Sequence, residues 1–226
     1  MFSIYSRKIN RIIEDLINAQ NDKLAFDTPS KVILGDARKM SKLVQVGTID
    51  HMITSPPYPG DHEYTKHSRL ELMFSNLAQS KEEFREIKKR MVRGSTTNIY
   101  KEDSEGSAIK NVESIIKITN EIDTRLKMDN ATSGFEKLYT KLVWEYFGGM
   151  YKVFTESLKV LKDNGTFSLL VSDSHAFKMV HINTASILEE LALMAGFRKS
   201  EIQLWQYKTS TSHKFALFEN ILILTK

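Results

Sequence analysis

Cysteine is absent from the 226 residues, which excludes disulfides and thiolate metal sites and suits a reducing cytoplasm, bacterial or archaeal. The six histidines are scattered without the spacing of a metal-binding set, so no metal is expected. No apolar run approaches the roughly 20 residues that a membrane span requires, and no membrane association is expected. Internal repeats and low-complexity tracts are also missing. Only ten glycines and four prolines interrupt the chain, and neither disorder nor a fibrous repeat fits that composition. What is present is ordinary globular material, 41% hydrophobic and 27% charged, enough for a single domain over 1–226 with one apolar core. The formal charge of +4 is compatible with a polyanionic partner, but many proteins of that balance bind no nucleic acid.

Apolar periodicity places an amphipathic helix from about Ser6 to Ala19, through Ile9, Ile12, Ile13, Leu16 and Ile17. Lys31 to Gly35 (KVILG) reads as a short buried strand ending at Asp36, and Ile49 to Thr54 (IDHMIT) as a second strand ending at Ser55. In an open parallel sheet the ligand crevice lies at the carboxyl ends of the strands, so Asp36 and Ser55 are expected in one crevice. Residues 70–161 read as mainly helical, too long for one crossover, and a helical insertion at about 81–132 is the economical reading. Its first part, Lys81 to Arg93, mixes basic and acidic residues and suits a solvated face as well as a phosphate-binding one. An amphipathic run Tyr139 to Leu161, a turn at Lys162 to Gly165 and a strand Thr166 to Val171 ending at Ser172-Asp173 follow. A helix from about Ile182 to Ala195 then stops at Gly196. Glu201 to Lys208 and Leu217 to Thr225 make two terminal strands whose short linker predicts an antiparallel pair.

Thr54-Ser55-Pro56-Pro57-Tyr58 is the segment that carries chemistry. Two successive prolines fix φ and cannot continue a helix or a sheet ladder, so the backbone leaving the strand is rigid. Rigid acceptors suit the methylation of an exocyclic amine, a poor nucleophile whose lone pair is delocalised into its ring. The Ser55 hydroxyl and the Pro56 carbonyl can accept both amine hydrogens and so favour a more tetrahedral nitrogen. Tyr58 would stack on a base taken out of the duplex. The bland alternative is a strand followed by a stiff turn.

TSPPY resembles motif IV of the DNA amino-methyltransferases, and serine in its second position resembles the form of the enzymes that methylate cytosine at N4. ILGDAR, IDHMITSPPY, HSRLELMF, LKVLKDNGTFSLLVSDS and ENILILTK are similar, in that order, to bacterial DNA methylases over nearly the whole chain except the insertion. The resemblance implies an α/β, Rossmann-like fold dependent on S-adenosyl-L-methionine, with an incomplete sheet, a terminal antiparallel strand pair and a helical insertion. It implies a DNA substrate and a place in restriction-modification or another host-defence system. Ser55, Pro56, Pro57 and Tyr58 become the catalytic set. Asp36, with Ala37 beside it, resembles the acidic position near the cofactor adenosine, although a helix cap is the competing reading; Thr54, Ser55 and Asp173 are further cofactor candidates. Tyr64, Lys66, His67 and Arg69, just past the catalytic loop, are the DNA-contact candidates. His175, His181 and His213 show no partner that suggests a role.

The family's Phe-x-Gly-x-Gly turn, which holds the methionine end of the cofactor, is missing from this sequence. Phe147-Gly148-Gly149 lies inside an amphipathic run without a preceding strand and reads as helix. The resemblance therefore implies a split enzyme in which a second protein subunit supplies that motif and the first strands, and a sheet lacking them is expected to expose an edge and an apolar face. A fragment of a longer chain is the gentler alternative. Adenine-N6 methylation and a catalytically silent DNA-binding or scaffolding subunit are the competing functions.

Overall fold

In the computed structural model, residues 2–21, 28–60, 63–131, 133–209 and 216–226 are described. Met1–Leu34 and Gly35–Lys226 form two compact units. In the first unit the helix α1 runs over Phe2–Asn21, two to four residues beyond each expected end, with none of its residues buried. The expected strand at Lys31 to Gly35 is absent: the segment has no regular structure, and Val32 and Leu34 stand in solvent. Among the described residues no strand pairs with it, and a lone strand has no ladder to hold it.

The second unit is built on a four-stranded mixed sheet of order β1-β2-β4-β3, formed by β1 (Ile49–Thr54), β2 (Leu161–Ser172), β3 (Lys199–Thr209) and β4 (Ala216–Thr225). β1 runs parallel to β2, while β4 is antiparallel to both β2 and β3. This is the α/β class with the terminal antiparallel pair expected from the short linker, and it is consistent with an incomplete Rossmann-like sheet. β2 begins earlier than expected. Leu161 already pairs with Ile49, and Lys162–Gly165 forms a bulge before Thr166 takes up register with His51, with Asn164 in the left-handed region at φ 62°.

Four helices, α2 (Tyr64–His67), α3 (Arg69–Phe74), α4 (Lys81–Lys89) and α5 (Glu113–Met128), precede the 22-residue α6 (Tyr139–Val160); α7 (Thr184–Ala195) follows β2. Asn183 caps α7 by accepting from the Ser186 amide at 3.1 Å, and Gly196 ends it at φ 119°, a conformation that only glycine takes without strain. α4 opens on a capping box between Ser80 and Glu83. Segment 81–132 is part of the core rather than an appendage. Ile109, Val112, Ile115 and Ile122 are buried in the same cluster as Tyr146, Phe147 and Phe154 of α6 and Phe167 and Leu169 of β2.

Phe147-Gly148-Gly149 is helical, as its periodicity predicts, and its glycines have a packing role. A Cβ on Gly148 would lie 2.3 Å from the backbone carbon and oxygen of Glu105, so the helix and the 3-10 turn Glu105–Ile109 touch backbone to backbone. One face of the sheet, carrying Met52, Phe167, Leu169, Leu222 and Leu224, lies in the core with α6 and α7. The opposite face carries Ile53, Ser168, Leu170, Ile221 and Ile223, none of them in the core cluster, and Ile53 is 86% exposed. Among the described residues β1 pairs only with β2 and is an edge strand.

Candidate active site

β1 and β2 end side by side, and β4 begins beside them, because Ser172 pairs with Glu219 across the β2–β4 ladder. Thr54 and Ser55 are exposed at this end. The Ser55 hydroxyl makes one long bond, 3.4 Å to the carbonyl of Leu170, and is otherwise presented to solvent. Pro56 and Pro59 are buried, Pro57 and Tyr58 are half-buried, and Tyr58 packs against the core.

The loop is clamped from two sides. The Ser174 hydroxyl donates to the carbonyl of Pro59 at 2.8 Å, and the Gly60 amide donates to the carbonyl of Gly94 at 3.0 Å. Gly60 has φ 83°, and a Cβ there would lie 2.5 Å from that of Ala176. The prolines thus set the direction of the backbone, while Ser174 and Gly94 fix its position.

The other expected site residues fall into three places. Tyr64 opens α2 and, with Pro57, Glu63, Met91, Val92, Gly94, Ser95 and Asn98, lines a narrow space beneath the loop. Glu63 is the buried N-cap of α2, accepting from the Thr65 amide at 2.9 Å and pairing with Lys88 of α4 at 2.8 Å. Burial pushes its carboxyl up, but Lys88 and Thr65 outweigh that and hold it below the usual range. Lys66 and His67 are exposed on α2. Arg69 opens α3 and also lies in solvent, with its guanidinium 5.5 Å from the Phe84 ring centre.

Asp173 is buried behind the loop. Its Oδ2 lies 2.9 Å from His181 Nε2, its Oδ1 has no partner among the described residues, and the His181 ring stacks on His175 at 4.6 Å. Neither histidine has a partner legible in the sequence; the structure joins His181 to Asp173 directly and His175 to His181 through its ring, while His213 lies outside the described residues. Burial and the neighbouring His181 push the His175 imidazole down, with Asp173 opposing them.

Asp36 stands apart. It caps the 3-10 turn Ala37–Lys42, whose first residue Ala37 is exposed, and grips Arg38 with both oxygens, at 2.9 and 2.8 Å. Burial raises its carboxyl, yet the hydrogen bonds and charge of Arg38 hold it below the ordinary aspartate range. Arg38 also reaches Glu105 at 3.2 Å and the carbonyl of Lys89 at 3.1 Å. Asp36 lines an open cleft with Arg38, Lys39, Lys89, Arg90, Arg93, Glu105 and Lys152, and none of Thr54 to Tyr58 lines it. The shared crevice expected for Asp36 and Ser55 rested on the strand at Lys31 to Gly35, which does not form. The competing helix-cap reading describes what Asp36 does.

Arg93 is tied to its own segment. It is buried, paired with both oxygens of Asp103 at 2.9 and 2.8 Å, and bonded to the carbonyls of Lys88 and Met91. At the β3–β4 hairpin, buried Glu219 accepts from Gln206 and Lys208 at 2.5 Å each. Its trace in the sequence is a single glutamate inside an otherwise mostly apolar strand.

Among the described residues no group of three or more His, Asp or Glu is placed to hold a metal ion, and no helix is long and apolar enough to cross a membrane. No protein-family model matches the chain, and no curated protein matches it. Among solved structures it is similar to TTHA0409 of Thermus thermophilus, provisionally assigned as a DNA modification methylase. The form complexed with S-adenosyl-L-methionine has 13% identity and a TM-score of 0.41 over 85% of this chain and 54% of that one. Its selenomethionine derivative has 13% identity and a TM-score of 0.39 over 85% and 50%. The chain thus spans about half the length of the solved structures it matches.

Proposed function

We propose that this chain is the base-handling part of a DNA amino-methyltransferase that transfers a methyl group from S-adenosyl-L-methionine to the exocyclic N4 amine of a flipped cytosine, working in the cytoplasm. The observation that carries this reading is the Ser55–Tyr58 loop, which leaves the carboxyl end of a parallel strand, keeps one hydroxyl in solvent, and is held by Ser174 and Gly94. Acceptors fixed in this way cost no reorganisation when the amine arrives. Ser55 Oγ and the Pro56 carbonyl accept the two amine hydrogens, and Tyr58 stacks on the base. Tyr64, Lys66, His67 and Arg69 lie on the two helices after the loop, and we assign them to contacts with the DNA around it.

The described residues do not make a complete cofactor site. Asp36 is already bound by Arg38, Asp173 is buried against His181, and the sequence has no strand–glycine–helix turn for the methionine end. The cofactor supplies the methyl group, and this chain's own residues bind and orient the base. We assign the rest of the site, including the glycine turn and further strands, to a second protein subunit. The open edge of β1 and the uncovered apolar sheet face support this, because parallel strands are normally buried on both faces.

The test is co-expression with the product of the adjacent gene, followed by digestion of plasmid DNA to nucleosides and mass spectrometry. N4-methylcytosine is expected; N6-methyladenine would move the substrate to adenine, and unmodified DNA at saturating cofactor would leave only a silent scaffolding role. Ser55→Ala is expected to abolish modification while leaving the unfolding midpoint unchanged, since the exposed hydroxyl makes one long bond of 3.4 Å. Full activity in that variant would place the chemistry elsewhere.

A further inference from the structure

We infer that α1 is a self-association element that pairs antiparallel with the same helix of a second copy of this chain. None of its residues is buried, and Phe2, Tyr5, Ile9, Ile12 and Leu16 are between 39% and 88% exposed. With Ala19, these residues recur at alternating steps of three and four, the seam of a two-stranded coiled coil. A 20-residue helix is only marginally stable alone in water and gains most of its stability by burying such a seam.

The sequence on either side of the seam selects both the partner and its direction. In an antiparallel pair, setting Ile9 opposite Ile12 of the second copy sets Tyr5 opposite Leu16 and Phe2 opposite Ala19. Branched residues then meet at the centre, and the bulkiest residue meets the smallest at each end. The same register brings Lys8, on one flank of the seam, opposite Asp15 of the second copy on the matching flank, and two-fold symmetry makes that contact twice. A parallel pair would set Lys8 against Ile13 and Asp15 against Gln20, forming no ion pair and placing a cation beside an apolar side chain. One register of a second copy therefore satisfies the core and the charges together. This inference is independent of the methyltransferase reading.

The test is sedimentation velocity of the full chain over a concentration series. The wild-type chain is expected to form a reversible dimer. Lys8→Asp or Asp15→Lys alone makes both flank contacts like-charged and is expected to weaken the dimer about tenfold, and the double reversal is expected to restore it. Because the chain has no cysteine, orientation can be read cleanly by mixing Ile9→Cys and Ile12→Cys chains and oxidising them. Mixed 9–12 disulfides are expected. Disulfides joining position 9 to position 9 would show a parallel pair and overturn the assignment, as would a wild-type chain that stays monomeric throughout or a double reversal that fails to restore association.

Discussion

Replacing Gly148 with alanine sets two effects of opposite sign against each other. In the interior of a helix this exchange gains about 0.5–1 kcal/mol, because alanine has less backbone freedom to lose. Against that, the new Cβ would lie 2.3 Å from the backbone carbon and oxygen of Glu105 and 2.6 Å from the amide nitrogen of Gly106, where ordinary contact needs about 3.5 Å or more. No side chain can rotate away, so the 3-10 turn must move by about 1 Å. That movement strains the Glu105 amide bond to the buried Glu145 carboxylate, 2.7 Å, and the Glu105 pairs with Arg38 and Lys152, at 3.2 and 2.6 Å. Overpacking costs about 1–3 kcal/mol, and an under-satisfied buried carboxylate adds about 1–3 kcal/mol. The net expectation is a destabilisation of about 2–4 kcal/mol, read from urea unfolding followed by circular dichroism. Gly149→Ala is the control. Its Cβ would meet only Val92 Cγ1, at 3.2 Å, and it is expected to stay within about 1 kcal/mol of wild type. A Gly148→Ala chain as stable as wild type, or more stable, would show that α6 and the 3-10 turn do not touch.

Two further expectations concern the acid side of the stability profile and the open sheet edge. Glu156 accepts from the Ser41 amide at 2.9 Å and the Ser41 hydroxyl at 2.6 Å; burial raises its carboxyl, but Lys159 and Ser41 prevail and hold it at about 2. A carboxyl held below its unfolded value contributes stability above pH about 4.5 that is lost as pH falls toward 2. Because Lys159 is half exposed the contribution is screened to about 1–3 kcal/mol, so Glu156→Gln should flatten the fall between pH 5 and 2; an unchanged slope would refute the pairing. Ile53→Lys puts a charge on the uncovered sheet face, and it should leave the fold intact while preventing capture of the second subunit in a pull-down. Undiminished capture would move that interface off β1.

Where burial follows a simple period, the sequence was legible. α6 and α7 were readable because apolar residues repeat at three to four and α7 ends at Gly196, whereas β1 and the β3–β4 pair were readable as short strand-forming runs bounded by polar residues rather than by a strict alternation. KVILG has the composition of a strand, but composition does not create the neighbour that a ladder needs. Lys162 to Gly165 looks like a turn, and only the register with β1 reveals it as a bulge within β2. In the site, the sequence located the proline-fixed loop but not what holds it. Ser174, Gly94, Glu63 and Lys88 come from separate stretches with no shared spacing, and their roles arise only when β2 and α4 are brought beside the loop. The partner of Asp36 was unread for the same reason: Arg38 lies only two residues away, and its grip on both carboxylate oxygens leaves no spacing signal in the sequence.

The parallel pairing of β1 with β2 also orders events in time. Ser55 and the Leu170 carbonyl it reaches are 115 residues apart, and among the described residues every ladder partner of β1 lies in β2. Chain elongation at about 5–20 residues per second leaves about 6–23 s between synthesis of the loop and synthesis of the strand that supports it. A contact of such long sequence separation must also close a large loop before anything rewards it, which makes it one of the slower steps of folding. The proline-fixed loop is thus among the first parts of this unit to be made and among the last to acquire a working shape, with Ile53 and its apolar strand exposed to the cell in between.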